Sequence, residues 1–425
     1  MKLHSYSSVV AGVICVSVHC EAPAQEVASF PAAIESPAEA SSPVVFSLYG
    51  EWRSQYGVER HRSLSQRGRM WGEIDVLPLP VADGELSFLA NGTVDYDLAP
   101  MGRDGGERPA RLDPGEVYAR WSDGTWALSL GNRLVRWGVA DGVSLSDVIN
   151  PVREHDPLVS GRQSARRPVP LLHVQYGWSG RTVETVFLPE AGLYRYPASG
   201  SPWFPDASSL SLEDQGLLHD LSRDAQRHRP EGGMRLASYN ENLDWAISAF
   251  HGFNDMPRLD TTSSTPRMNY DRMTSYVFTL SATVGESVLR GEVGVTPDYP
   301  FSGTSGELDR ADRYGTVWGL DRSFDDDWSV SVQLFGMVAP KVSSEVNRMT
   351  NGGTWSVKKE WPVEKVSATL SGQRYFSLDS MAVDLSVEYE IDDWRKISLS
   401  YFTFSGSDNA YRRNDLLGIT FRSYF

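Results

Sequence analysis

A membrane-spanning antiparallel β-barrel, all-β in class, is the fold this 425-residue sequence predicts. Three observations predict it: apolar and polar residues alternate in segment after segment, short and long polar breaks take turns between those segments, and the chain stops at an aromatic residue on an alternating stretch. Strand side chains point alternately to two faces, so a strand with lipid on one side and water on the other must be apolar at every second position. No run reaches the ~20 apolar residues that a membrane helix needs. A net charge of −15 and a negative mean hydropathy would, taken alone, describe a soluble acidic chain. The aromatic share of 11%, with 13 Trp and 18 Tyr, points to a barrel instead, because barrels carry aromatic girdles at both membrane interfaces.

The N-terminus reads as a secretory signal over 1–24. Lys2 supplies the positive start, Val9 to Val18 the apolar stretch, and Ala22-Pro23-Ala24 a small-x-small cleavage site. His19 makes the sequence before Cys20 a poor lipid-attachment site. Both cysteines, Cys15 and Cys20, fall in the signal, so the mature chain has no disulfide, no thiolate metal site and no cysteine nucleophile. Residues 25–44, rich in Ala, Pro, Ser and Glu, read as a disordered periplasmic lead-in, and 45–425 as the barrel. The acidic balance argues against nucleic acid as a partner. An outer-membrane location follows, with outer-membrane lipid and lipopolysaccharide as surroundings.

The alternation is plainest at Met381, Val383, Leu385, Val387 and Tyr389, which interleave with Ala382, Asp384, Ser386 and Glu388. Tyr276 to Ala282, Trp328 to Leu334 and Trp126 to Leu130 repeat it. Short breaks such as Ser179-Gly180 and Gly285 to Ser287 read as periplasmic turns, and long ones near 98–111, 138–169 and 190–231 as extracellular loops. Seventeen segments are directly legible. Both ends of a bacterial barrel lie in the periplasm, so the number must be even; a hidden strand over Thr354 to Trp361 gives 18, with 16 as the alternative. On the last strand Leu417, Ile419, Phe421 and Phe425 share one face, with Thr420, Arg422 and Tyr424 on the other. Phe421 and Phe425 resemble the terminal signature that barrel-assembly machinery reads.

Chemistry-bearing motifs for metal, phosphate or nucleophilic catalysis are missing. The sequence therefore suggests no enzyme, no cofactor and no metal site. His173 alternates with Leu172 and Val174 and reads as a solvated lumen residue; a lipase-like use would need an activated serine within reach. Asp384, Glu388 and Arg422 are expected to face the lumen as well.

The most distinctive stretch is Gly131 to Trp137-Gly138, then Asp147-Val148-Ile149-Asn150-Pro151, then a basic run ending Arg166-Arg167-Pro168. It resembles a family of proteobacterial outer-membrane proteins of unknown function that share a G-x5-W-G element, a D-x-x-N-P element and a basic segment before an R-x-P strand start. Here Pro168 follows Arg167 directly, so that last element fits through Arg166 and Pro168. The likeness covers about 128–205. It implies a barrel whose genes often neighbour efflux-type transporters or catabolic operons, hence an efflux or export complex as partner. Alginate exporters look more distantly related. The family assigns no catalytic residues.

Two placements of this loop are open. Folded inward, Arg133, Arg153, Arg162, Arg166 and Arg167 would face Asp141 and Asp147 and form a charged constriction. Folded outward, the arginines would meet lipopolysaccharide phosphates or water. The turn chemistry of Gly, Asp, Asn and Pro favours the inward fold. Leucines 210, 212, 217, 218 and 221 are spaced for a short amphipathic helix, fit to pack on the rim or to act as a lid. The function expected first is a passive channel for a small or polymeric solute; a sleeve or export conduit and an outer-membrane enzyme are the other classes.

Overall fold

The computed structural model describes residues 44–99, 109–152, 166–205, 210–224, 229–260, 267–302, 308–342 and 348–425. The expected signal and the expected lead-in up to residue 43 lie outside these residues, as do Arg153 and Arg162, whereas Val44 already belongs to the first strand. The first nine strands are β1 (Val44–Gly57), β2 (Arg62–Val81), β3 (Gly84–Asp97), β4 (Ala110–Ser122), β5 (Trp126–Arg133), β6 (Val169–Trp178), β7 (Arg181–Leu188), β8 (Glu231–Ser238) and β9 (Leu243–Phe253). A small hairpin, β10 (Arg258–Asp260) and β11 (Arg267–Asn269), follows in a loop. The ring resumes with β12 (Arg272–Val284), β13 (Ser287–Ser302), β14 (Leu308–Phe324), β15 (Trp328–Val338) and β16 (Met349–Trp361). It ends with β17 (Val366–Tyr375), β18 (Ser380–Asp392), β19 (Arg395–Ser405) and β20 (Leu416–Tyr424).

Except for the β10–β11 hairpin, the strands form one 18-stranded sheet of antiparallel neighbours. Pairing of β1 with both β2 and β20 closes it, so no strand edge is left open. The hidden strand exists as β16 and begins earlier than Thr354, at Met349. It escapes direct reading because only four residues, 376–379, separate β17 from β18 at the long-loop end, so the alternation of break lengths fails there. No helix among the described residues is long and apolar enough to cross a membrane.

Exposure runs opposite to that of a soluble fold. Leu130, Leu334, Leu385 and Val293 are exposed, while their polar neighbours Ser129, Gln333, Asp384 and Glu292 on the inner face are buried. That apolar outer face is a surface for lipid, and the closed barrel is an outer-membrane one. On β20, Leu417, Ile419 and Phe425 are exposed on the outside, and Arg422 turns inward to Glu51 at 2.8 Å.

One helix, α1 (Leu212–Asp224), lies between β7 and β8. Ser211 caps it: its Oγ accepts from Asp214 N at 3.1 Å and donates to the Asp214 carboxylate at 2.7 Å. Leu210 and Leu218 bury themselves against Leu259, Met268 and Tyr270 of the β10–β11 region. The helix thus packs at the rim.

Candidate functional site

Where β5 ends at Arg133, the chain leaves the wall and does not rejoin it until β6. Gly131 makes the departure feasible. Its φ is +136°, and a Cβ there would stand 2.2 Å from the Val117 carbonyl oxygen, so no other residue fits without moving the neighbouring strand. The resemblance motif is what ties the root of segment 134–151 to the near wall. Trp137 and Ile149, each 1% exposed, pack with Val135 against Leu171, Val186, Leu188 and Phe250 of β6, β7 and β9. The Asp147 carboxylate accepts from Trp137 N at 3.0 Å and Gly138 N at 2.7 Å. The Asn150 amide accepts from Val135 N at 2.8 Å and donates to the carbonyls of Arg133 and Arg167 at 3.0 and 3.1 Å. Asp and Asn suit these places because short polar side chains bond backbone groups a few residues away.

The tip of the segment reaches the far wall. Glu292 on β13 is fully buried, and its carboxylate accepts from the backbone N–H groups of Val139, Ala140, Leu145 and Ser146 at 2.7–3.2 Å. The hydroxyls of Ser144 and Ser146 add to the same carboxylate at 3.0–3.2 Å. On β15, Gln333 Oε1 accepts from Gly142 N at 2.8 Å. Gly142 sits so close to β16 that an added Cβ would lie 2.8 Å from Thr354. Ala140, Val143 and Leu145 pack with Val317, Phe335 and Tyr375. In the order of pairing, β16 lies halfway round the ring from β5. The segment therefore crosses the lumen from wall to wall.

The charges fall out differently from the sequence expectation. Asp141 is met by Arg136 at 3.3 Å and by Arg290, while Arg133, Arg166 and Arg167 have other partners and Arg153 and Arg162 lie outside the described residues. Arg290 in turn reaches Asp321 at 3.2 Å. Arg133 turns to Ser129 Oγ at 2.7 Å and His173 Nδ1 at 3.3 Å, with its guanidinium over the Tyr118 ring. Arg166 donates to the Asn150 carbonyl at 2.5 Å, and Arg167 to the Leu193 carbonyl at 2.9 Å. Backbone carbonyls at the root of the segment are nearer to them than Asp141, which is spent on the far wall.

His173 faces inward but is only 3% exposed, so it is not a solvated residue. Its Nε2 lies 3.1 Å from Glu184, which also accepts from Arg235 at 2.7 Å. Ser129 is its cross-strand partner, and the residue types are those of a hydrolytic triad. Arg133 lies between serine and imidazole, however, and its Nη1 donates to both. A serine that accepts from a cation beside it is not activated by the histidine. Glu388 and Arg422 belong to a separate strip with Lys396 and Glu51, on β1 and β18–β20. Asp384, also inward, is apart from that strip and 4% exposed.

A second segment, 189–205, also crosses. Tyr196 and Phe204 stack at 5.5 Å beside Phe253 and the α1 leucines. Trp203 reaches Leu64, Ala382, Phe402, Phe404 and Tyr411 on the opposite side, where Asn414 Nδ2 donates to the Pro202 carbonyl at 2.5 Å. Its far contact on β18 is halfway round the ring from β7. Glu292 and Gln333 were not singled out from the sequence, since each occupies an ordinary inward position whose partners are far away in the chain; Trp203 belongs to the stretch covered by the resemblance, in its Trp203-Phe204-Pro205 element, but nothing local shows where its ring goes.

No protein-family model matches the chain, and no curated protein does either. Solved structures do resemble it in fold. The Pseudomonas aeruginosa outer membrane protein OpdK aligns with a TM-score of 0.55 at 8% identity, over 90% of this chain and 98% of that one. OccK11 (OpdR) of the same organism gives 0.55 at 8% identity, over 90% and 96%. OccK5 (OpdH) gives 0.54 at 7% identity, over 90% and 97%. At such identity the likeness is one of fold: this chain is similar to these barrels in architecture.

Proposed function

We propose that the chain is a passive outer-membrane channel for small or polymeric solutes, narrowed by segment 134–151. The observation that carries this reading is the hydrogen bonding of one segment to opposite walls, from Asn150 to the Arg133 carbonyl of β5 on the near side and to Glu292 and Gln333 on the far side. A barrel of this strand number encloses an aqueous lumen, and a fixed crossing segment divides it. Arg133, Arg136, Arg166 and Arg167 stand at the root of the segment, and Arg153 and Arg162 are included on sequence grounds. Fixed cations in a low-dielectric passage concentrate anions and repel cations. The preference should fade as salt shortens the Debye length below ~8 Å.

Planar-bilayer recordings test both parts. Replacing Arg162, Arg166 and Arg167 together with Ser should enlarge conductance and move reversal potentials toward cations. Unchanged recordings with weakened lipopolysaccharide binding would instead put the basic run outside. A sleeve or export conduit is the second reading, and the second crossing segment favours it, because two crossings close more of the lumen than one. A purified barrel that conducts only with an envelope partner present would decide for that reading.

A further inference from the structure

The inner wall of β16–β18 gathers its paired charges, Lys358, Glu360, Glu388 and Glu390, toward the short-turn end, and beyond them it is mostly uncharged polar. Ser356, Ser371 and Asp384 follow one another in one register row, and Thr354 and Gln373 lie side by side in the next. All five are at most 4% exposed. Three of their polar atoms have no hydrogen-bond partner: Thr354 Oγ1, Gln373 Oε1 and Asp384 Oδ1. Buried polar atoms are nearly always satisfied, and each exception calls for a cause.

Asp384 is the exception of greatest weight. Other buried carboxylates of the inner wall are held by donors of segment 134–151, as Glu292 is, or have cationic partners: Glu51 meets Arg53 and Arg422, Glu184 meets Arg235, and Asp321 meets Arg290. Among the described residues Asp384 has none. An isolated carboxylate removed from water is costly unless something supplies charge or donors. Beside it, in register on β19, is Phe402, part of the apolar cluster that receives Trp203. A lone anion flanked on one side by hydroxyl and amide oxygens and on the other by an aromatic ring suits a protonated amine on an alkyl stem. The ammonium group can donate to Asp384 and to the Gln373 amide oxygen diagonal to it in the register, and the ring attracts its charge and covers its carbons.

We propose that Asp384 and Gln373 form a subsite for the ammonium group of a small primary alkylamine, flanked by Phe402. The proposal rests on the channel reading to the extent that a solute must enter the lumen to reach this wall. It does not conflict with an anion-favouring field, which acts on ions in passage, whereas Asp384 acts on a group in contact.

The test is an NMR titration of n-butylammonium chloride onto the barrel folded in detergent micelles, which requires no conduction. Wild type should bind it, and D384N, similar in shape but uncharged, should bind at least tenfold more weakly with its melting temperature retained. Butyltrimethylammonium, which has no N–H donors, should bind more weakly than n-butylammonium, and glucose should not compete. Equal affinity of wild type and D384N, no binding to the folded wild type, or competition by glucose would each overturn the proposal. Bilayer recordings on the same preparation separate the two readings. A barrel that binds the amine without conducting refutes only the channel; one that conducts without binding refutes only the subsite.

Discussion

The two segments that cross the lumen are held by opposite physics. Segment 134–151 offers its own backbone N–H groups and serine hydroxyls to one buried carboxylate, Glu292. Segment 189–205 offers rings: Tyr196, Phe204 and Trp203 fill apolar clusters at its two ends. A polar anchor is directional, since each donor must meet its oxygen, so the backbone it holds takes one conformation. An apolar anchor is governed by area and fit, and it tolerates small displacements. The first crossing is therefore the better fixed, and the second the better suited to move as a unit.

Trp203→Ala should give the largest effect. It removes a ring 3% exposed, and comparable truncations cost about 3–5 kcal/mol. Hydrogen exchange should rise over 189–205 while 139–146 stays protected; loosening of both would mean the crossings are one unit. Glu292→Gln comes next. Its amide group turns donors toward donors, which should cost about 2–3 kcal/mol locally. The amides of Val139, Ala140, Leu145 and Ser146 should then exchange faster and single-channel conductance should increase. Unaltered exchange would show that packing of Ala140 and Leu145 suffices.

A third effect comes from Asp255, in the loop after β9, whose backbone carbonyl accepts from Tyr194 N at 3.3 Å. Burial and then the nearby Glu231 carboxylate push Asp255 up to about 8, against the pull of Arg166 and Arg167. A carboxyl whose folded pKa is raised favours the folded state fully only below its unfolded value near 4. That contribution is lost as pH rises through about 8. Segment 189–205 should loosen over that range, and Asp255→Asn should flatten the dependence. A wild-type protease-cleavage profile flat in pH across 189–205 would refute the coupling. The smallest effect is Gly142→Ala, whose Cβ would lie 2.8 Å from Thr354 and 3.2 Å from Gln333. The Thr354 and Gln333 side chains can give way, so a cost of about 1 kcal/mol is expected. A thermal melt indistinguishable from wild type, with conductance also unchanged, would show that the tip is not in tight contact.

The fold was legible because lipid enforces its rule at each position: Leu385 and Ile419 have no alternative to facing outward once a neighbour must face water. The inner face obeys no such rule. Glu292 in Leu289-Arg290-Gly291-Glu292-Val293 looks like any wet lumen residue, and only the return of a loop 150 positions earlier makes it an anchor. The local motif of Gly131, Trp137, Asp147 and Asn150 could be seen in the sequence because it joins residues close in the chain. The partners of Arg133 and Asp141 could not, since β6, β13 and β14 decide them. Asp384 was readable as inward, but its lack of a cation depends on four neighbouring strands.

The placement of the two crossings has a mechanical side. A closed ladder of strands resists stretching around its circumference, where hydrogen bonds run, but bends readily across it, so a wide cylinder flattens easily into an ellipse. Here β5 is tied toward β16 and β7 toward β18, two struts along neighbouring diameters. They hold the wall round along those diameters and leave it compliant at right angles. Lateral pressure from the bilayer would then change the shape of the passage along one axis only.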